Sequence, residues 1–320
     1  MSLQPSRPYD DGGLPPAGVP GSCIGAGRMS RIETVRVDSW DAALQALYAD
    51  SWSAPLGRFR SSIAFRGVCR LERSLRHGLQ QASPEGAGLE PHLLRSFRKY
   101  AHHALPVGHD SPWHWLALAQ HHGLPTRLLD WSYSPFVALH FATDDPATWD
   151  ADGAVWCVDY AAARRELPPA LARVLDADGA DVFTPDLIAQ AVERLSDLAA
   201  LAADPCLVFL EPPSLDERIV NQYALFSLLS TVDADHEAWL DAHPGLARCV
   251  VIERRAKAEI RDKLDQANVT ERVLFPGLDG LCRWLRRYYE PRAGALGGER
   301  PPAAAGVRTR SSGQRYTEGL

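Results

Sequence analysis

Apolar and polar positions alternate over 34–37 and again over 62–68, the period of two that predicts half-buried strands. Between them Ser39 is placed to cap a helix whose Ala43, Leu44, Leu47 and Tyr48 form one stripe. Residues 89–103 repeat at helical spacing, with Leu93, Leu94, Phe97 and Tyr100 on the inner side. The best-punctuated helix comes next: Ser111 at the N-cap, Pro112 in the first turn, Gly123 past the end and Pro125 beyond it. A short strand is predicted over 126–131, and Ser134-Pro135 repeats the cap-plus-proline device to open a helix over 136–143. Further strands are predicted at 154–160, 207–211, 218–229 and 249–253, with helices near 160–175, 185–203 and 256–267. The last helix, 278–289, is expected to turn Leu281, Leu285 and Tyr288 inward. Strands and helices mix without a regular βαβ alternation, which predicts an α+β fold with a mixed, mostly antiparallel sheet core and surrounding helices.

Outside this patterned region the period disappears. Residues 1–30 and 292–320 are rich in Gly, Pro and Ser and read as a disordered leader and a disordered basic tail, leaving 31–291 as one domain. With 320 residues, 46% apolar and 23% charged, the composition is that of an ordinary globular protein with enough material for a sizeable core. No apolar run approaches the about 18–20 residues that span a bilayer. The N-terminal stretch also lacks the basic and apolar regions of a secretory signal, so a cytoplasmic protein with no membrane association is expected. Cysteines at 23, 69, 157, 206, 249 and 282 fit no metal-ligand spacing and are expected to be reduced and structural.

Charge changes the picture of partners. The net charge is −6, the tail from residue 292 carries +3 and the first thirty residues are balanced, which leaves residues 31–291 at −9. An acidic body is a poor match for a phosphate backbone and argues against non-specific nucleic-acid binding by the core.

The candidate chemistry begins at Phe65-Arg66-Gly67. Arg66 lies on a strand whose neighbours Ile63, Phe65 and Val68 are apolar, and a guanidinium there needs an anion. It reads either as a clamp for phosphate or carboxylate or as a structural ion pair with Asp130 or Glu72, while Gly67 lets a ligand or another backbone approach. Gln120, His122, Thr126, Arg127 and Asp130 read as a hydrogen-bond network fixing the helix-to-strand turn. His121 and His122 are adjacent and point about 100° apart, so they do not chelate one ion together, and no metal site is expected. No nucleophile elbow and no phosphate-cradling glycine loop is present. Carboxylates fall later, at Glu211 before Pro212-Pro213 and at Glu217. If 218–229 is a strand, Arg218, Val220 and Gln222 share one of its faces.

Together these residues resemble the FRG domain. The matching marks are Phe65-Arg66-Gly67, the run from Gln120 to Trp131, Ala138-Leu139-His140-Phe141-Ala142, Arg218-Ile219-Val220-Asn221-Gln222, and the run from Leu274 to Leu281, spanning about 60–290. A fainter resemblance is to arginine-type ADP-ribosyltransferases. There Phe65-Arg66-Gly67 matches a core-strand motif, and Leu129-Asp130-Trp131-Ser132, followed by Pro135 and Ala138–Ala142, matches a serine strand leading into a helix. That resemblance implies an ADP-ribosyltransferase-like fold and NAD as co-substrate. Arg66 and Gly67 would then hold the dinucleotide, with Gln120, His122, Thr126, Arg127, Asp130, Trp131 and Ser132 around it. The chain departs from the pattern at Asp130-Trp131-Ser132 and in having no Glu-x-Glu pair. Gln222 falls near the glutamate position, so the catalytic set it implies is Arg66 and Gln222 with Glu217 or Glu211. Three readings follow: an ADP-ribosyl-transferring or NAD-cleaving enzyme with an unidentified macromolecular acceptor, a catalytically silent nucleotide- or protein-binding module, and another effector in a bacterial conflict system.

Overall fold

The computed structural model describes residues 30–290 apart from 50, 73, 74, 84, 85, 102, 104–109 and 215. The tail 292–320, Cys23 and, but for Ser30, the leader 1–30 lie outside the described residues.

Among the described residues nine strands form in chain order: β1 (Glu33–Val37), β2 (Trp52–Ser53), β3 (Arg58–Phe59), β4 (Ile63–Val68), β5 (Leu129–Ser132), β6 (Gly153–Asp159), β7 (Leu207–Leu210), β8 (Ala224–Leu229) and β9 (Ala247–Ile252). Seven build one sheet in the order β1-β9-β6-β4-β5-β8-β7, and β2 pairs with β3 apart from it. Only the β1–β9 pair is parallel; the other neighbours run antiparallel. The fold is therefore α+β, a mixed, mostly antiparallel sheet with helices around it.

Strand alternation distributes the core over both faces. Ala64, Val68, Leu129, Trp131, Trp156 and Trp239 pack in one cluster. Phe65 points the other way, against Ala138, Leu139 and Ala142 of the helix Pro135–Thr143. Burial of Phe65 and of Leu139 contributes roughly 1.5–3 kcal/mol each. That helix lies directly on β4 because residue 67 is glycine: a Cβ there would fall 1.8 Å from the Ala138 carbonyl oxygen. A third cluster gathers Trp113 and Leu116 of the helix Pro112–His121 with Leu128, Phe183, Val208 and Phe226.

The caps read from sequence are in place. Ser39, Ser111 and Ser134 each accept from the backbone N–H three residues on. Elsewhere the elements differ from expectation. The span 218–229 is not one strand: Asp216 accepts from Ile219 N–H and caps a helix Glu217–Asn221, Tyr223 turns the chain at φ 48°, and β8 begins only at Ala224. Arg218, Val220 and Gln222 therefore do not share a strand face. The strand predicted over 126–131 is confined to Leu129–Ser132. The helix near 160–175 is interrupted at Pro168, giving Tyr160–Arg164 and Pro169–Asp178. The one near 185–203 is Pro185–Ala191 followed by a 3-10 segment Leu195–Leu201.

The last helix, Leu278–Tyr289, is rotated from its predicted setting, with Leu285 and Tyr288 exposed. Its inward positions are Gly280, Trp284 and Arg287, spaced one turn apart, together with Leu281, which is half-buried as expected. Gly280 lies so close to the Phe275 carbonyl that a Cβ would fall 1.8 Å from it. Arg287 donates to Glu271 at 2.6 and 2.7 Å and to Asp265 at 2.7 Å twice. These ion pairs and the close approach at Gly280 hold this face inward.

The five described cysteines are free, and all but Cys282 are buried. Burial raises the Cys206 thiol and pushes that of Cys249 up to about 12, so neither is a thiolate at neutral pH. Among the described residues no helix is long and apolar enough to cross a membrane.

Candidate functional site

The ladder between β4 and β5 consists of one pair, Phe65↔Ser132, after which the two strands part. A cavity of about 1050 Å³ opens at that parting. On its floor Arg66 donates from Nη1 to the Asp130 carbonyl at 2.6 Å, while the Asp130 carboxylate stays 3.9 Å away. The Arg66 Nε is buried without a partner, and the side chain retains 21% of its exposure. Burial lowers the Arg66 pKa and the Asp130 carboxylate opposes that shift, leaving the group cationic. A guanidinium held by a carbonyl, with a donor left over, retains most of its charge for an incoming anion.

Asp130 itself is set by a relay. The Leu128 N–H donates to Thr126 Oγ1 at 3.0 Å, that hydroxyl donates to Gln120 Oε1 at 2.6 Å, and Gln120 Nε2 reaches both Asp130 oxygens at 2.9 Å. Gly123, at φ +81°, ends the helix Pro112–His121 in the conformation that lets this turn close. Although Asp130 follows Leu129 and precedes Trp131, its side chain is 62% exposed, because alternation along β5 turns it away from their cluster.

One wall holds His77, with His236 buried behind it. His77 shares its Nε2 proton with the Val232 carbonyl at 3.0 Å and accepts on Nδ1 from Gln80 N–H. His236 lies 6.1 Å from it, ring centroid to ring centroid, with both nitrogens unpartnered. Burial, then His77 and Arg66, push His236 down to about 3, so it is neutral. Across the cavity His121 is hydrogen-bonded to Asp216, and Arg218 donates to the His121 carbonyl at 3.4 Å. The Phe275 ring forms a lip, with the Arg218 guanidinium 5.1 Å and the Arg283 guanidinium 4.2 Å from its centroid. That lip is pinned by Asn221 Nδ2 on the Val273 carbonyl and Gln222 Nε2 on the Leu274 carbonyl, both 2.8 Å.

Behind the lip, Arg261, fully buried, engages His140 Nδ1, Asp265 and the Val269 carbonyl. Burial and Arg261 push His140 down to about 3. Burial would raise Glu271, but its bonds from Arg287 outweigh that and leave it at about 2.

The residues singled out in the sequence are distributed unevenly. Arg66, Gly67, Gln120, His122, Asp130, Trp131, Ser132, Glu217 and Gln222 line the cavity. Gly67 serves the approach of another backbone, that of Ala138 and Ala142. Ser132 donates to the Gln222 carbonyl at 2.7 Å, and Trp131 Nε1 donates to Ser227. Thr126 sits behind the lining, in the relay. Arg127 points away and pairs through Nε and Nη2 with Glu90, both side chains being buried. Glu211 is outside the cavity, accepting from the Tyr133 hydroxyl at 2.6 Å. Glu217 is an exposed carboxylate that makes no ion pair with a described residue.

Sequence reasoning missed Arg76, His77 and the Phe275 lip as cavity residues. The run Leu274–Leu281 carried a signal for the last of these, since a Phe-Pro-Gly turn is a rigid way to present a ring. Among the described residues no group of three or more His, Cys, Asp or Glu is placed to hold a metal ion.

No curated protein matches the chain. No solved structure matches it either. The family model of the FRG domain matches residues 61–151, a segment that contains β4, the helix Pro112–His121, β5 and the helix Pro135–Thr143. Arg66, the Gln120–Thr126–Asp130 relay and the parted strands all lie within that match, whereas Asn221, Gln222 and the Phe275 lip lie beyond it. The segment that builds the floor of the cavity is thus similar to an FRG domain.

Proposed function

We propose that the cleft between β4 and β5 binds a nucleotide-type ligand through Arg66, and that the ligand is NAD, used as a co-substrate whose nicotinamide–ribose bond is broken. The observation that carries this reading is the state of Arg66: a cation on the floor of a large cavity, held by a carbonyl, with Nε unpartnered. A pyrophosphate satisfies such a group bidentately. The Phe275 lip offers aromatic surface for a ring at one end.

Breaking the nicotinamide–ribose bond sends its electron pair to the nicotinamide and leaves positive charge on the ribose, so an anion must face it. Glu217 is the glutamate of the expected pair that lines the same cavity and has no ion-pair partner. The acceptor is a macromolecule whose class this reading leaves open. Millimolar NAD should raise the melting temperature of the wild type and not that of Arg66→Ala, by linkage. Nicotinamide should be released by the wild type and not by Glu217→Gln. If NAD gives neither stabilisation nor nicotinamide, the proposal fails.

A silent binding module is favoured by one other observation. The Gln222 carboxamide is engaged by the Leu274 carbonyl and Glu211 is held by Tyr133, so neither is free to act on a ligand. Stabilisation by NAD that depends on Arg66, without nicotinamide release, identifies that case.

A further inference from the structure

A second cavity, of about 640 Å³, lies on the far side of the turn that carries Thr126 and Arg127. It is of the size that small-molecule sites have, and its inner surface is mainly apolar, with Leu94, Trp115 and Leu195 among the side chains that line it. Its polar floor is already satisfied: the Glu90 carboxylate neutralises Arg127 in a buried bidentate pair. The rim is different. Arg95 and Arg98 stand one turn apart on the helix Gly86–Ala101, and Arg194 faces the same opening from the other side. Arg98 is engaged by Asp110 at 3.1 Å and stacks over Trp115 at 5.7 Å. Arg95 and Arg194 make no ion pair among the described residues. Asp233 is the one acid of the lining besides Glu90. These two cations stand at the mouth of the apolar cavity.

We infer that this second cavity binds an amphipathic anion, an apolar chain or ring bearing one carboxylate or phosphate. The apolar body lies against Leu94, Trp115 and Leu195, and the anionic head pairs with Arg95 and Arg194. Guanidinium pairs with either head group bidentately, so carboxylate and phosphate share the same recognition chemistry.

The test is calorimetric titration of the full chain with octanoate, octyl phosphate and octanol. At least one anion should bind saturably at one site, and octanol at least about tenfold more weakly, the ratio expected when a charge-assisted bond is lost. The stronger of the two anions identifies the head group. The double variant Arg95→Ala, Arg194→Ala should weaken the anion by about tenfold or more, with the octanol affinity unchanged. Ala199→Trp, on the exposed 3-10 rim, should block anion and alcohol together. Arg66→Ala should leave octanoate binding unaltered, which separates this site from the cleft between β4 and β5. Absence of saturable binding, equal affinity for octanol, or indifference to the double variant each overturns the inference.

Discussion

Replacing Gly67 by alanine tests why the middle of the sheet is built as it is. The backbone at residue 67 has no left-handed φ, so alanine is conformationally acceptable there and the cost is steric. The new Cβ would fall 1.8 Å from the Ala138 oxygen and 2.8 Å from the Ala142 nitrogen, both backbone atoms that no rotamer change can move aside. Clearing the oxygen even to 3.0 Å, the tightest approach a Cβ makes, requires the helix Pro135–Thr143 to retreat by about 1.2 Å, which loosens Ala138, Leu139 and Ala142 against Phe65 and Val155. Overpacking of this kind costs about 1–3 kcal/mol, and a backbone clash belongs at the upper end. At roughly 2–4 °C per kcal/mol for a chain of this size, the melting temperature should fall by roughly 6–12 °C. Gly88→Ala is the control. Nothing lies within 4 Å of a Cβ at that helical position, so it should be neutral or stabilising by up to about 1 kcal/mol. Urea unfolding of both variants with the wild type decides the matter. A Gly67→Ala protein within about 0.5 kcal/mol of the wild type would refute the close-approach account and return residue 67 to a role in ligand access.

Glu90→Gln should cost about 3–5 kcal/mol by leaving Arg127 buried beside a neutral amide; a loss under about 1 kcal/mol in denaturant titration would mean the pair is dispensable. Acidification should destabilise the fold. His140 and His236 are held neutral to about pH 3, so from pH 6.5 downward the unfolded chain binds more protons, and each histidine removes roughly 1.4 kcal/mol per pH unit. Asp144, raised to about 6 by burial and by Asp145, works the other way below pH 6. Between pH 6.5 and 5 the net loss should be about 2–3 kcal/mol. His236→Leu should remove one histidine's share, and a flat stability profile for the wild type would show that the histidines titrate normally.

Elements whose ends are punctuated were legible in the sequence. The helix Pro112–His121 has a capping serine, a first-turn proline and a terminating glycine, and β4 alternates cleanly; local chemistry determines both. The segment 217–222 misled because Ile219-Val220 favours a strand by propensity. Its true signal was Asp216, an N-cap followed by Glu217 in the first turn, and the helix is secured by long-range bonds from Asn221 and Gln222 to Val273 and Leu274. The candidate site divides in the same way. Gln120, Thr126 and Asp130 lie within one short stretch, and their network could be read from it. The partner of Arg127 is Glu90, on another helix, and nothing local to Thr126-Arg127 points toward it. Leu285 and Tyr288 had the right spacing for burial, yet the ion pairs of Arg287 and the close approach at Gly280 hold another face inward.

The single rung joining β4 to β5 divides the sheet mechanically. On one side β1, β9, β6 and β4 form a plate stitched by five, six and six residue pairs; on the other β5, β8 and β7 form a plate stitched by four and four. Between the plates, cohesion comes from side chains, with Trp131 and Phe209 of one plate packed in the same cluster as Ala64 and Trp156 of the other. Apolar contacts tolerate small sliding and tilting, whereas ladder hydrogen bonds weaken steeply when bent. The molecule thus has a compliant seam between two stiff plates, and the seam runs along the floor of the cleft. Opening or closing that cleft around a guest costs one backbone rung, the Arg66–Asp130 contact and part of the side-chain packing across the seam, while both plates keep their own ladders intact.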